Sequence, residues 1–288
     1  FAKTDKIIGG AATYICLSGS CFSKKIELVS VVGGDFPKKG INLLKNRGVN
    51  TKGLQIKKRE KTFFWSGKYH NNMNTRDTLE TQLNVLEQFN PVVPEEFRNT
   101  KYLMLGNLLP GVQKKVLDQM NKKPKLIVLD TMNFWMDNFM SELLDALKEV
   151  DVLTINDEEA RQLSGEYSLI KASKKILKMG PKQVIIKKGE HGAFLFNKDE
   201  MFFCPAFPLE EVCDPTGAGD SFAGGFIAYL EHTDSTTFQN MKQAVVYGTV
   251  LASFCVEKLG TEGLTKITKE KIEFRAKKVI ELTRIKKV

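Results

Sequence analysis

The stretch LIVLDTMNFWMDNFMSELLDALKEVDVLTINDEEARQL, residues 126–163, decides how the chain is read. Two short, almost wholly apolar runs, "LIVLD" and "DVLTIN", flank "FMSELLDALKEV", whose apolar residues recur at helical spacing. A strand that is apolar on both sides of its pleat has no solvent face. It belongs in a parallel sheet covered by helices above and below. The alternation continues outward, with "YLMLG" and "VQKKVLDQM" before the stretch, "DEEARQL" closing it, and "SLIKASKKILKMG" and "QVIIKKG" after it. The fold class expected is α/β, a doubly wound, mostly parallel sheet flanked by helices. Ligands of such sheets lie beyond the carboxyl ends of the strands, which directs attention to residues 130–133, 156–159 and 189–192.

Residues 53–89 read differently, as β-prone pieces broken by polar turns with no long helix. They are expected to form a small β lid extending from the main sheet. Phe63, Phe64, Trp65 and Tyr69 would pack it down or line a pocket, and the polar segment "YHNNMNTRDT" would belong to it, with Asn74, Arg76 or Asp77 either touching substrate or forming a solvated polar turn. There is no internal repeat and no Pro/Gly-rich linker, so residues 1–288 are expected to make one unit with a lid. A projecting β edge tends to be covered, which makes a homodimer through the lid the expected assembly.

Composition narrows the function. With 288 residues and 42% hydrophobic content, a sizeable core is available. The formal charge of +9 is scattered over "KKRE", "NKKPK", "KASKK" and "RIKKV", with no basic stripe interleaved with aromatics. That distribution suits solubility and attraction of anionic small substrates rather than nucleic-acid binding. Five cysteines show no zinc spacing, and His70, His191 and His232 form no metal-binding pair. No apolar run approaches a membrane span, so a cytoplasmic enzyme with no membrane partner is expected. The first residue, Phe1, is not an initiator methionine, and some natural residues are expected to precede it.

The chemistry concentrates in "DPTGAGDSFAGGF", residues 214–226. After Gly219 the apolar residues Phe222, Phe226, Tyr229 and Leu230 mark one face of a helix. Its first amides are free and carry the positive end of its dipole, and small residues let an anion approach them. The same residues would also serve a tight loop into a packed helix. A carboxylate at the rim of an anion cradle is repelled by the anion unless it handles a proton there. Asp220 beside this turn therefore suits phosphoryl transfer to an alcohol, with Asp220 as the base. No G-x-x-x-x-G-K-[ST] and no strand-linked G-x-G-x-x-G offers a rival phosphate site.

This segment resembles the C-terminal signature of the ribokinase-like (PfkB) carbohydrate kinases, D-T-x-G-A-G-D-x-F. The resemblance extends over nearly the whole chain, through "IGGAATY", "VSVVGGDFPKKG", "LLKNRGVNTKGL", "LDTMNFW", "NDEEA" and "VIIKKGEHGA". It implies a kinase that uses ATP and Mg2+ on a hydroxyl of a small sugar or, alternatively, a nucleoside. Asp220 would be the catalytic base, and the amides of Gly217, Ala218 and Gly219 the anion hole. Asn156 and Glu159 would sit in the water shell of the magnesium, and Asp214 near the metal or a monovalent cation. Lys188, Gly189 and Thr216 would lie on the nucleotide side, and Gly9, Gly10, Asp35 and Asn133 toward the acceptor. Two features depart from the family pattern. Tyr14 stands where many members carry a sugar-binding asparagine, and the first strand with its substrate-binding aspartate is expected before "TDKIIGG". A non-catalytic nucleotide- or sugar-binding regulator is the alternative of another class.

Overall fold

The computed structural model describes residues 4, 6–71 and 73–285; Asn72 in the polar lid segment and the end of "RIKKV" lie outside them. The chain begins with α1 (Ala11–Gly19), followed by β1 (Ile26–Gly33), α2 (Lys38–Asn46) and β2 (Val49–Lys57). A hairpin, β3 (Phe64–Tyr69) and β4 (Arg76–Gln82), comes next. The alternating part is β5 (Tyr102–Leu105), α3 (Pro110–Leu117), β6 (Leu126–Asp130), α4 (Asn133–Asn138), α5 (Met140–Leu147), β7 (Val152–Asn156), α6 (Asp157–Ser164), α7 (Leu169–Leu177) and β8 (Gln183–Lys187). It is completed by β9 (Ala193–Phe196), β10 (Met201–Cys204), α8 (Ala218–Thr233), α9 (Phe238–Val256), α10 (Glu262–Thr265) and α11 (Lys269–Glu281).

The main sheet has the order β10-β9-β8-β7-β6-β5, parallel from β5 to β8 and antiparallel at β9 and β10. Its strands are apolar on both faces because both are covered. Val128, Val152 and Ile185 pack with Phe226, Val245 and Leu251 of α8 and α9 on one side. Ile127, Leu129, Leu153 and Ile186 pack with Leu143, Leu147 and Ile176 of α5 and α7 on the other. Each such fully buried side chain contributes roughly 1.5–3 kcal/mol. The doubly wound, mostly parallel sheet expected from the alternation is the fold observed.

Two arrangements position the site. Helix α1 lies directly on α8, because a Cβ at Gly224 would sit only 2.4 Å from the Ile15 carbonyl oxygen. This brings Gly9 and Gly10, which precede α1, beside the turn that starts α8. The hairpin differs from the extension expected of the main sheet. Strands β3 and β4 pair only with each other, and β2 pairs in parallel with β1. Strand β4 reads RDTLETQ and is exposed along almost its whole length, so it offers the main sheet no apolar face to bury. Among the described residues no helix is long and apolar enough to cross a membrane.

Candidate active site

The turn before α8 is built on Gly217, whose φ of 79° is left-handed. A Cβ there would lie 2.4 Å from the ring of Tyr14, which is 1% exposed. Gly217→Ala is expected to cost about 1–3 kcal/mol in backbone strain alone, with the Tyr14 overlap added. Urea unfolding of the variant measures it, and unchanged stability would contradict the geometry. The N–H groups of Gly217 and Gly219 have no partner among the described residues, whereas that of Ala218 donates to the Pro215 carbonyl at 3.2 Å. The anion cradle expected from three amides is thus two outward amides and one that closes the turn. Asp214 braces the turn from below: its carboxylate accepts from Thr216 N and Gly260 N, both at 2.9 Å.

Half-buried Asp220 stands in the first turn of α8 above a set of charged groups that the strand ends deliver. Asp130 ends β6 and accepts from Lys187 Nζ, at the end of β8, and from Thr154 Oγ1 of β7, both at 2.9 Å. The Lys187 ammonium also lies against the turn, 3.1 Å from where a Cβ of Gly219 would stand. Burial pushes the Asp220 carboxyl up to about 7, with Asp130 and Glu159 adding to the rise and Lys187 and Arg76 opposing it. Burial likewise pushes Glu159 up to about 7, and here Lys187 is the main opposing influence. For Lys187, burial would lower the pKa, but Asp130 and Glu159 outweigh it and raise it. The floor of the cleft is acid-rich and only partly neutralised.

Asn156 and Glu159 form a capping box at the start of α6. Glu159 N donates to Asn156 Oδ1 at 2.8 Å, and Asn156 N donates to Glu159 Oε2 at 2.7 Å. The box holds Glu159 in place and leaves its second oxygen outside that pairing. Among the described residues no group of three acidic, His or Cys side chains converges to hold a metal by itself. A buried carboxylate with hard oxygen donors still fits Mg2+, which keeps several waters and binds through one or two carboxylates plus phosphates.

The other expected residues fall into three groups. Gly9 and Gly10 line the cleft, and nothing lies within 4 Å of a Cβ built at Gly10, so the start of α1 faces open space. Asp35, just beyond β1, also lines it; its Oδ1 accepts from Thr62 N and Oγ1 at 2.7 Å, and the Thr62 hydroxyl is the main reason its pKa is lowered. Asn133 donates to Gln162 of α6. Of the residues expected on the nucleotide side, Thr216 has its Oγ1 3.1 Å from Tyr69 Oη of the hairpin. Gly189 is covered by the Asn74 side chain, whose amide also donates to Glu190 at 3.1 Å. Lys188 has its Nζ 5.5 Å from the centre of the Phe194 ring.

Asp130 and the hairpin's Arg76 lie in stretches that the sequence singled out, whereas Lys187 was missed as a part of this site. The two strand-end residues had a signal, since "LIVLD" and "VIIKK" each end a buried strand in a charge. Which lysine faces the site was not legible, because both faces of β8 are covered and neither is marked as solvent. Tyr14 occupies the place of a sugar-binding asparagine, but its ring is buried between Gly9 and Gly217. Burial is also the chief cause that keeps its phenol protonated.

The model of the pfkB family of carbohydrate kinases matches residues 2–267, and the chain belongs to that family. A cytidine kinase from Thermococcus kodakarensis is 29% identical over 226 residues, covering 76% of this chain and 79% of that protein. A nucleoside kinase from Methanothermobacter thermautotrophicus is 28% identical over 268 residues, covering 88% and 80%. Among solved structures, a ribokinase II candidate from E. coli in complex with ATP and Mg2+ has a TM-score of 0.76 at 21% identity, covering 94% of this chain and 89% of that one.

Proposed function

We propose that this kinase transfers the γ-phosphoryl of ATP to the hydroxymethyl group of a nucleoside, a small free sugar being the second reading. The observation that carries the chemistry is Asp220 standing beside the outward amides of Gly217 and Gly219 at the start of a 16-residue helix. The nucleoside is favoured by the acceptor side of the cleft. Phe36 meets Ile8 at Gly40, Lys6 lies 4.7 Å over the Phe64 ring and Phe63 follows the Thr62 that Asp35 accepts from, so aromatic faces gather near Gly9 and Asp35, where a planar base could stack. Both broad-coverage relatives named above are nucleoside-type kinases. The sugar reading rests on Asp35, a carboxylate able to accept from sugar hydroxyls.

In this mechanism the acceptor hydroxyl lies against Asp220, which takes its proton as the new O–P bond forms and the bond to ADP breaks. The Gly217 and Gly219 amides stabilise charge on the phosphoryl oxygens as it moves. Lys187 pairs with Asp130 at 2.9 Å and holds the carboxylate floor in place. Asn156 and Glu159 would hold Mg2+ when it is bound, and the ion would supply positive charge against the phosphates. Thr216, Lys188 and Gly189 flank the nucleotide, and Asn133 orders the rim through Gln162. We assign Asp214 to bracing the turn, since both of its oxygens already accept amides. A monovalent cation there would be held by backbone carbonyls, and potassium-independent turnover would remove it.

The chain works as one unit in this reading, with the hairpin within residues 53–89 as its lid and a second copy covering the lid edge. Sedimentation as a monomer at high concentration would exclude the second copy. Five free cysteines suit a reducing, cytoplasmic setting.

The function is tested by following ADP release with Mg2+ against cytidine, uridine, adenosine, inosine, ribose and fructose. Turnover with one or more nucleosides and none with the free sugars is expected. The reverse pattern would establish the sugar reading, and turnover with neither would remove both.

A further inference from the structure

We propose that Arg76 of the hairpin is a catalytic residue, whose guanidinium contacts the γ-phosphoryl as it moves from ATP to the acceptor. The inference rests on the phosphoryl-transfer reading above and gives a defined role to Arg76, which the sequence offered only as one of three lid residues that could touch substrate.

The geometry begins with the pairing of the hairpin. Arg76 of β4 stands directly opposite Tyr69 of β3 in an antiparallel pair. Opposed residues in such a pair project from the same face, with Cβ atoms about 4.5–5.5 Å apart. The Tyr69 hydroxyl reaches Thr216 Oγ1 at 3.1 Å, one residue before Gly217. The face that carries Arg76 is therefore the one turned to the glycine turn. A second tie holds the hairpin tip, where Asn74 lies on Gly189 and donates to Glu190. Trp65 of β3 steers the guanidinium, whose carbon lies 5.7 Å from the centre of its ring. The charge reaches the floor of the cleft, since Arg76 opposes the rise in pKa at both Asp220 and Glu159.

The need for such a cation follows from the charges already present. Asp130, Glu159 and Asp220 gather where the strongly anionic phosphoryl group must pass. The Lys187 ammonium is held by Asp130 at 2.9 Å, and Lys188 sits over Phe194. Arg76 is exposed and forms no salt bridge among the described residues, so its donors remain open to an incoming phosphate. A planar guanidinium matches two phosphoryl oxygens at once, which a lysine cannot do.

The test compares steady-state kinetics of wild type, Arg76→Ala and Arg76→Lys, with Asp220→Asn as reference and the acceptor identified above. Arg76→Ala is expected to lower kcat by about 10² or more, in the direction of the 10³–10⁵ effects of arginine fingers, with KM for ATP little changed. Millimolar guanidinium is expected to restore part of that kcat, and Arg76→Lys to recover only a fraction. A kcat of Arg76→Ala within about threefold of wild type, a loss confined to acceptor KM, or no guanidinium rescue would each overturn the proposal. Because Arg76 is exposed, its variants should fold, and a thermal melt checks this. Wild-type turnover in Asp220→Asn would instead defeat the underlying phosphoryl-transfer assignment, an outcome separate from anything Arg76→Ala reports.

Discussion

Asp220→Asn is expected to lower kcat by about 10² to 10⁴ while leaving ATP affinity close to wild type, because an amide keeps the shape and cannot take the acceptor proton. The carboxyl sits at about 7 in the free protein, raised first by burial and then by Asp130 and Glu159. A base works only when deprotonated, so kcat/KM should fall as pH drops through about 7, and Asp220→Asn should lose that limb. Lys187 and Arg76 face the same group and oppose its rise, so removing either should move the limb to higher pH.

The stability consequence has the opposite sign. A carboxyl with a raised folded-state pKa makes the folded form bind the proton more tightly than the unfolded one. Stability therefore declines as pH rises from the ordinary aspartate range through about 7. Above that range Asp220→Asn should melt at a higher temperature than wild type. An inactive variant that is also less stable at pH 8 would show that the carboxylate is not held under strain. A variant with near-wild-type turnover would remove Asp220 as the base.

Lys187→Met is expected to destabilise the protein by about 3–5 kcal/mol, the usual effect of removing one partner of a buried ion pair. The side chains of Lys187 and Asp130 are 17% and 7% exposed, and their contact is 2.9 Å. Without the ammonium, Asp130 keeps a hydroxyl partner, Thr154, but no opposite charge within the sheet. Methionine fills the lysine stem's volume, so packing changes little. The loss should be recovered in large part by adding Asp130→Asn, which removes the uncompensated charge. Urea denaturation of the two single variants and the double variant gives the coupling directly. A double variant that adds two independent losses would mean that the pair contributes through packing instead.

These two residues illustrate what was readable in advance. The placement of Asp220 was legible because it is local: the glycines, the helix start and the carboxylate are contiguous, and the free amides of a helix terminus follow from backbone geometry alone. The fold was legible for a related reason. Strands buried on both faces must be apolar throughout, as "LIVLD" and "DVLTIN" are, and their alternation with amphipathic helices leaves few architectures. The Asn156–Glu159 pairing was visible too, though its spacing serves a capping box whether or not a metal is nearby.

The Lys187–Asp130 pair was not legible, because the two residues are 57 positions apart and meet only when β8 and β6 lie in one sheet beside β7. Nor was the choice between Lys187 and Lys188, since a strand covered on both sides carries no pattern that marks one face as the site. The hairpin departed furthest from expectation. Its polar segment marked it as a lid with Asn74, Arg76 or Asp77 as candidate substrate contacts, but where it would dock was not legible, since its contacts with Thr216 and Glu190 lie more than 100 residues away in the chain. The sequence by itself determined the layered α/β architecture, the family and the aspartate beside its glycine turn, because each depends on neighbouring residues and on periodic burial. Tertiary structure alone decided which charges surround that aspartate and which face of the hairpin is turned to it, because long-range electrostatic pairing is set by how the strands are stacked.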